Sequence, residues 1–157
     1  MDDLTIARAL HLLAVVHWIG GVAMVTLVIL PAVRRLAGAA ERLDTFEAIE
    51  GRFARQARVS VGLAGVTGLY MTERLDAWAR FLDAGFWWMH AMALLWIVFA
   101  IVLYVAEPLF LHRWFHDRAR RDPDGTFALV ARLHRILLAA SAVTVLAAVL
   151  GAHGALA

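Results

Sequence analysis

The sequence predicts an all-α, integral membrane protein folded as a four-helix up-and-down bundle, and three observations predict it. Hydrophobic residues fill 62% of the 157 positions and the mean hydropathy is +0.72, which is too apolar for an ordinary soluble domain. The apolar residues gather in runs that reach, or stretch to, the ~20 residues a spanning helix needs. The basic residues, all arginine, collect in two of the three connections between those runs, as they do when a chain is threaded through a bilayer with a fixed orientation. Cysteine is absent, so disulfides and thiolate metal sites are excluded, and any metal must be held by nitrogen, oxygen or thioether ligands.

The first segment runs from about Leu4 to Val33 behind Asp2 and Asp3, and Pro31 with the Gly38 neighbourhood closes it. It offers no clear cleavage site, so it is expected to be a retained helix and not a signal peptide. The second apolar stretch is shorter, from about Val59 to Met71. Its approach, FEAIEGRFARQAR, mixes charges and apolar residues at helical spacing, which predicts a helix that begins in the aqueous interface and enters the membrane with Arg55 and Arg58 snorkelling. The third covers about Phe86 to Leu111; Asp122, Pro123, Asp124 and Gly125 then form a loop, and the fourth covers about Ile136 to His153. With their interfacial ends the helices are expected over residues 4–33, 44–76, 85–117 and 126–154, in one transmembrane domain spanning 1–157. There is no repeat and no low-complexity tract.

Six arginines lie between Arg34 and Arg58 and six more between Arg113 and Arg135, whereas the opposite side holds only Arg8, Arg74 and Arg80. The positive-inside rule then puts both of those connections in the cytoplasm and both termini in the periplasm of a bacterial-type inner membrane. Trp78, Phe86, Trp87 and Trp88 would mark the outer interface and Trp114 the inner one. The pI of about 9.9 is therefore a topology signal; no nucleic-acid partner is expected, because these arginines sit beside acids and membrane ends.

Histidines in apolar segments are the candidate functional residues, since a polar ring in hydrocarbon is costly unless something binds it. His11, in ALHLLAVVHWIGG, and His90, in FWWMHAMALLW, each lie a few residues inside the start of helices that run the same way. At ~1.5 Å rise per residue their rings should share a level to within about a turn, and across the bundle core they could face each other. Such a pair suits the axial positions of a b-type haem. Arg8, three residues before His11, shares its face and could meet a propionate; Gly62, Gly65 and Gly68 in VGLAGVTGLY make a strip that a flat ring could approach. Small residues so spaced also serve plain helix packing. His17, about 120° round the helix and ~9 Å deeper, is expected to line the pocket or hydrogen-bond in the core. His112 and His116, four apart, and His134 lie near one level at the cytoplasmic end and are expected to form a solvated cluster, with a metal or second haem as the alternative. Glu107, just ahead of Pro108, is expected to pair with an arginine from the cytoplasmic side.

The runs ALHLLAVVHWIGG and LPAVRR, followed by WWMHAMALLWIVFAIVLY, resemble the small membrane families around HemJ-type protoporphyrinogen oxidase and the CopD-like copper-resistance proteins. The specific part of the resemblance is the Ala-Leu-His of the first helix and the aromatic-x-His of the third. It implies haem b on His11 and His90. HemJ-like sequences carry a lysine two residues after the third-helix histidine; here that position is Met92, and the chain contains no lysine.

Three functions follow. The first is a bis-histidine b-type cytochrome in electron transfer or a quinone-linked redox reaction, with His11 and His90 as iron ligands and Arg8, His17 and Gly65 around the cofactor. The second is porphyrinogen oxidation. The third is copper handling, for which His11, His90, Met89 and Met92 offer imidazole and thioether ligands suited to Cu(I). The expected partners are the lipid bilayer, a quinone or redox partner protein, and a second copy of the chain in a homo-oligomer.

Overall fold

The computed structural model describes residues 2–155, which are 92% helical, with no strand among them. Four helices carry it: α1 (Asp3–Leu36), α2 (Arg42–Arg74), α3 (Ala84–Ala119) and α4 (Pro123–Ala152). Three of them, α1, α3 and α4, are long and apolar enough to cross a membrane. The helix α2 is not among them, because the charged run through FEAIEGRFARQAR occupies its first half and leaves only the second half apolar.

Local chemistry sets the helix ends. Asp2 caps α1 by accepting from the Leu4 N–H. The expected stop at Pro31 is not a stop: a π-helical turn over Val25–Ile29 precedes it, and α1 continues to Leu36. A proline lacks the N–H that an α-turn would use, and a widened turn just before it lets the helix pass without that bond. The same device recurs in α3, where π-helix runs over Val102–Leu111 around Pro108. The expected loop at Asp122 to Gly125 is instead the first turn of α4. Asp122 accepts from the Gly125 N–H at 2.9 Å and Pro123 occupies the first helical turn, where its missing donor costs nothing.

Each helix runs antiparallel to the next. The Asp3 carboxylate at the start of α1 accepts from Tyr70 Oη at 2.7 Å and pairs with Arg74 at 2.9 Å, at the end of α2. Trp88, near the start of α3, lies directly on Gly151 at the end of α4, where any side chain would collide with the indole. These contacts define the terminal end of the molecule. At the other, arginine-rich end, Arg42 of α2 pairs with Asp124 of α4, and Glu47 of α2 meets the last turns of α3.

The interior is built from three apolar clusters. The middle one joins Trp18 and Val22 of α1, Ala57 and Val61 of α2, and Phe99 and Leu103 of α3. At its centre Trp18 and Phe99 meet edge to face, with ring centroids 4.7 Å apart. Trp88, Met89 and Ala147 form the cluster at the terminal end, and Val25, Leu30, Phe46 and Phe127 belong to the one at the arginine-rich end. Large apolar side chains also cover the outside: Leu12, Leu27, Val66, Leu94, Leu109 and Leu146 are all exposed.

Candidate functional site

His11 is half buried and lies against α2. Its Nδ1 is 3.0 Å from both the Ala64 carbonyl oxygen and Thr67 Oγ1. A carbonyl can only accept, and Thr67 already donates to the Leu63 carbonyl at 2.7 Å, so these bonds call for a proton on Nδ1, and in the neutral ring the lone pair then lies on Nε2. That is the arrangement found in metal-ligating histidines, whose second nitrogen is tied to an acceptor that fixes tautomer and ring orientation. His11 precedes Trp18 by seven positions, so it sits within about 20° of the face that carries the buried indole.

His90 does not share this environment. Its side chain is exposed, its Nε2–H donates to the Phe81 carbonyl at 2.9 Å, and its ring meets the Phe81 ring edge-on with centroids 5.5 Å apart. The two histidines therefore have partners on different elements, and the structure does not bring them together. The Trp18–Phe99 contact explains why. Measured from it, His11 lies seven residues and His90 nine residues toward the terminal end, ~10 and ~13 Å, so their levels nearly match. Nine helical positions, however, amount to about 180°, which turns His90 away from the face of Phe99. Met92, seven positions before Phe99, is the residue of α3 both level with His11 and on the inward face; it packs against the Trp88, Met89 and Ala147 cluster.

Arg8, His17, the glycine strip and the other polar side chains of these helices lie as follows. Arg8 is exposed one turn ahead of His11. His17 is exposed and shares a hydrogen bond with Ser60 Oγ at 2.8 Å. Gly65 is covered by Trp96, whose indole N–H donates to the Val61 carbonyl at 2.8 Å, and Gly62 by Tyr104. The glycine strip thus admits two aromatic side chains of α3 instead of a free planar ligand. Gly68 alone faces His11, with Cε1 3.3 Å from where a Cβ would stand. Glu107 pairs with Arg58 at 2.6 Å, and Arg58 also donates to the Leu103 carbonyl at 2.9 Å. His153 donates to the Val149 carbonyl at 2.7 Å. In the middle cluster the Trp18 indole N–H is buried and has no hydrogen-bond partner among the described residues, a donor left wanting an acceptor.

The histidines of the arginine-rich end group differently from the expected trio. His134 donates to the Val130 carbonyl at 3.0 Å and packs edge-on against Phe46. His112 and His116 instead converge on Glu47: His112 Nδ1 and His116 Nε2 are 2.9 and 2.8 Å from the same oxygen, Oε2. One donor atom from each of the three lies within 4.8 Å of the others. Sequence reasoning passed over Glu47, though its place near the start of α2, level with the end of an antiparallel α3, was a signal that could have found it. Beside the group is a cavity of about 430 Å³, lined in part by Asp44, His116 and Arg120.

The chain matches no protein-family model, no curated protein and no solved structure.

Proposed function

We propose that this chain is a multi-pass membrane protein, an up-and-down four-helix bundle in a bacterial-type inner membrane, that holds a b-type haem through His11 and serves in electron transfer. The observation that carries the proposal is the state of His11: half buried, on the face of Trp18, Nδ1–H fixed on the Ala64 carbonyl and Nε2 free to ligate. Membrane insertion is supported by three long apolar helices and by the exposed leucines and valines that only lipid would cover at low cost. The arginine asymmetry favours periplasmic termini.

A haem held there would supply a one-electron couple whose potential depends on the residue that holds it together with His11. Register favours Met92 over His90 for that position, since Met92 lies on the inward face and His90 lies on the outward one. Arg8, one turn nearer the surface than His11, has the charge and reach for a propionate. The unpaired Trp18 N–H favours an oxygen-bearing ligand, such as a quinone carbonyl, deeper in the same interior.

A second reading is Cu(I) handling, and Met89 and Met92, packed in the terminal-end cluster near the level of His11, favour it, because thioether and imidazole ligands suit that ion. Absorption spectra of the protein purified in mild detergent, oxidised and dithionite-reduced, with metal analysis of the same sample, decide between them. Haem bands that vanish in His11→Ala, persist in His90→Ala and shift in Met92→Ala are the expected result. A colourless protein that retains copper selects the second reading; a colourless, copper-free protein overturns both.

A further inference from the structure

The convergence of Glu47, His112 and His116 is independent of His11, and it has the features of a metal site without depending on any haem. The two histidines stand four apart on the last turns of α3, a spacing that puts both rings on one helix face. Their ring centroids are 4.4 Å apart. Glu47 reaches them from α2, so the three donors come from two antiparallel elements that fix their mutual placement. The π-helical run Val102–Leu111 ends immediately before His112. Its residues advance by less than the 100° of an α-helix, so the run sets which face of the following turns meets α2.

We propose that Glu47, His112 and His116 bind a divalent first-row transition cation, with zinc as the reference ion, at the arginine-rich end of the molecule. Two imidazoles and a carboxylate are the ligand set of open zinc sites and of non-haem iron sites, and nitrogen donors disfavour magnesium and calcium. The geometry requires little movement. Ligand atoms around a tetrahedral zinc stand about 3.3 Å apart for bonds of ~2.0 Å, and the two nitrogens now lie 2.9 and 2.8 Å from Glu47 Oε2. A cation entering between them replaces the protons those hydrogen bonds share.

The surroundings add two elements of such a site. Asp44, one turn before Glu47 on the same face, places Oδ1 3.7 Å from His116 Nδ1. A small closure makes it the outer carboxylate that orients a ligating imidazole and leaves Nε2 for the ion. His116 and Asp44 also line the open 430 Å³ cavity, so the His116 side of the group faces solvent. Glu47 and His116 are half buried while His112 is exposed, so the ion would be held at the rim and would exchange with solution. Bound there, it would tie the start of α2 to the end of α3.

Calorimetric titration of zinc into the full chain in detergent, stripped with chelator, tests the proposal, and Co²⁺ absorption provides a second signal on the unaltered protein. One equivalent of zinc per chain at this site and tetrahedral or five-coordinate Co²⁺ bands are expected. Affinity should fall by more than tenfold in Glu47→Gln and in His116→Ala, about tenfold in Asp44→Asn, and remain unchanged in His134→Ala and His11→Ala. Circular dichroism identifies any variant that fails to fold. Absence of Co²⁺ ligand-field bands in the unaltered protein, or equal zinc binding by it and by a folded His112→Ala/His116→Ala double variant, would overturn the proposal. Neither result depends on whether His11 holds haem.

Discussion

His11 and His90 differ in one variable that sequence spacing did not expose. Depth was legible, because counting residues from each helix start places both rings near one level. Azimuth was not, because it depends on which face of α3 turns inward, and that is fixed by the Trp18–Phe99 contact between diagonal helices. With nearly every residue from Trp87 to Ile101 apolar, α3 carries no polar stripe to announce its outward side. Gly65 repeats the lesson at closer range, since the sequence admits either a flat ligand or an indole against it, and Trp96 takes the place. Gly65→Ala should lower stability by roughly 1–3 kcal/mol through overpacking against that ring, read as a reduced midpoint in detergent thermal unfolding. Glu50, in the charged approach of α2, has its carboxyl pushed up to about 7 by burial, with the nearby Glu107 and Glu47 charges adding to it. The folded state therefore holds this proton over a range in which the unfolded chain, with the ordinary glutamate pKa of 4.5, has lost it. Stability should decline as pH rises from about 4.5 to about 7, and Glu50→Gln should flatten that decline in unfolding curves measured across the range.

Helix existence could be read from hydropathy and helix ends could not, and the prolines show why. Pro31 reads as a break and Pro108 falls inside an expected helix, yet both are carried the same way, inside or beside a π-helical stretch that removes the need for the missing donor. Pro123 also reads as loop, and it opens α4 behind the Asp122 cap. The charge pattern of α2 predicted a helix with an aqueous first half, and the structure gives one continuous helix over Arg42–Arg74. What it could not announce is that Glu47 would land against His112 and His116, because that depends on the phase of α3 beyond its π run. Pro108→Ala restores an N–H and permits ordinary winding, which would rotate the last turns of α3. The expected result is weaker zinc binding with helix content unchanged, measured by titration and circular dichroism on the same preparation.

For the molecule as a whole, the alternation of helix direction puts the two arginine-rich connections at one end and both termini at the other. The chain has no native cysteine, so single substitutions report position cleanly. Gly38→Cys should be shielded from a membrane-impermeant thiol reagent in intact spheroplasts, and Asp83→Cys should react; the reverse pattern would invert the orientation. Composition and arginine placement made this arrangement legible, whereas the pairing of helices across the interior required the side chains themselves.

The edge-to-face crossing of Trp18 and Phe99, set among Val22, Val61 and Leu103, works as a bulkhead. It lies between the level of His11 and the arginine-rich end that holds Glu47, and it fills that stretch of the interior with apolar side chains. Vesicles containing the purified protein should hold a proton or salt gradient as tightly as empty ones.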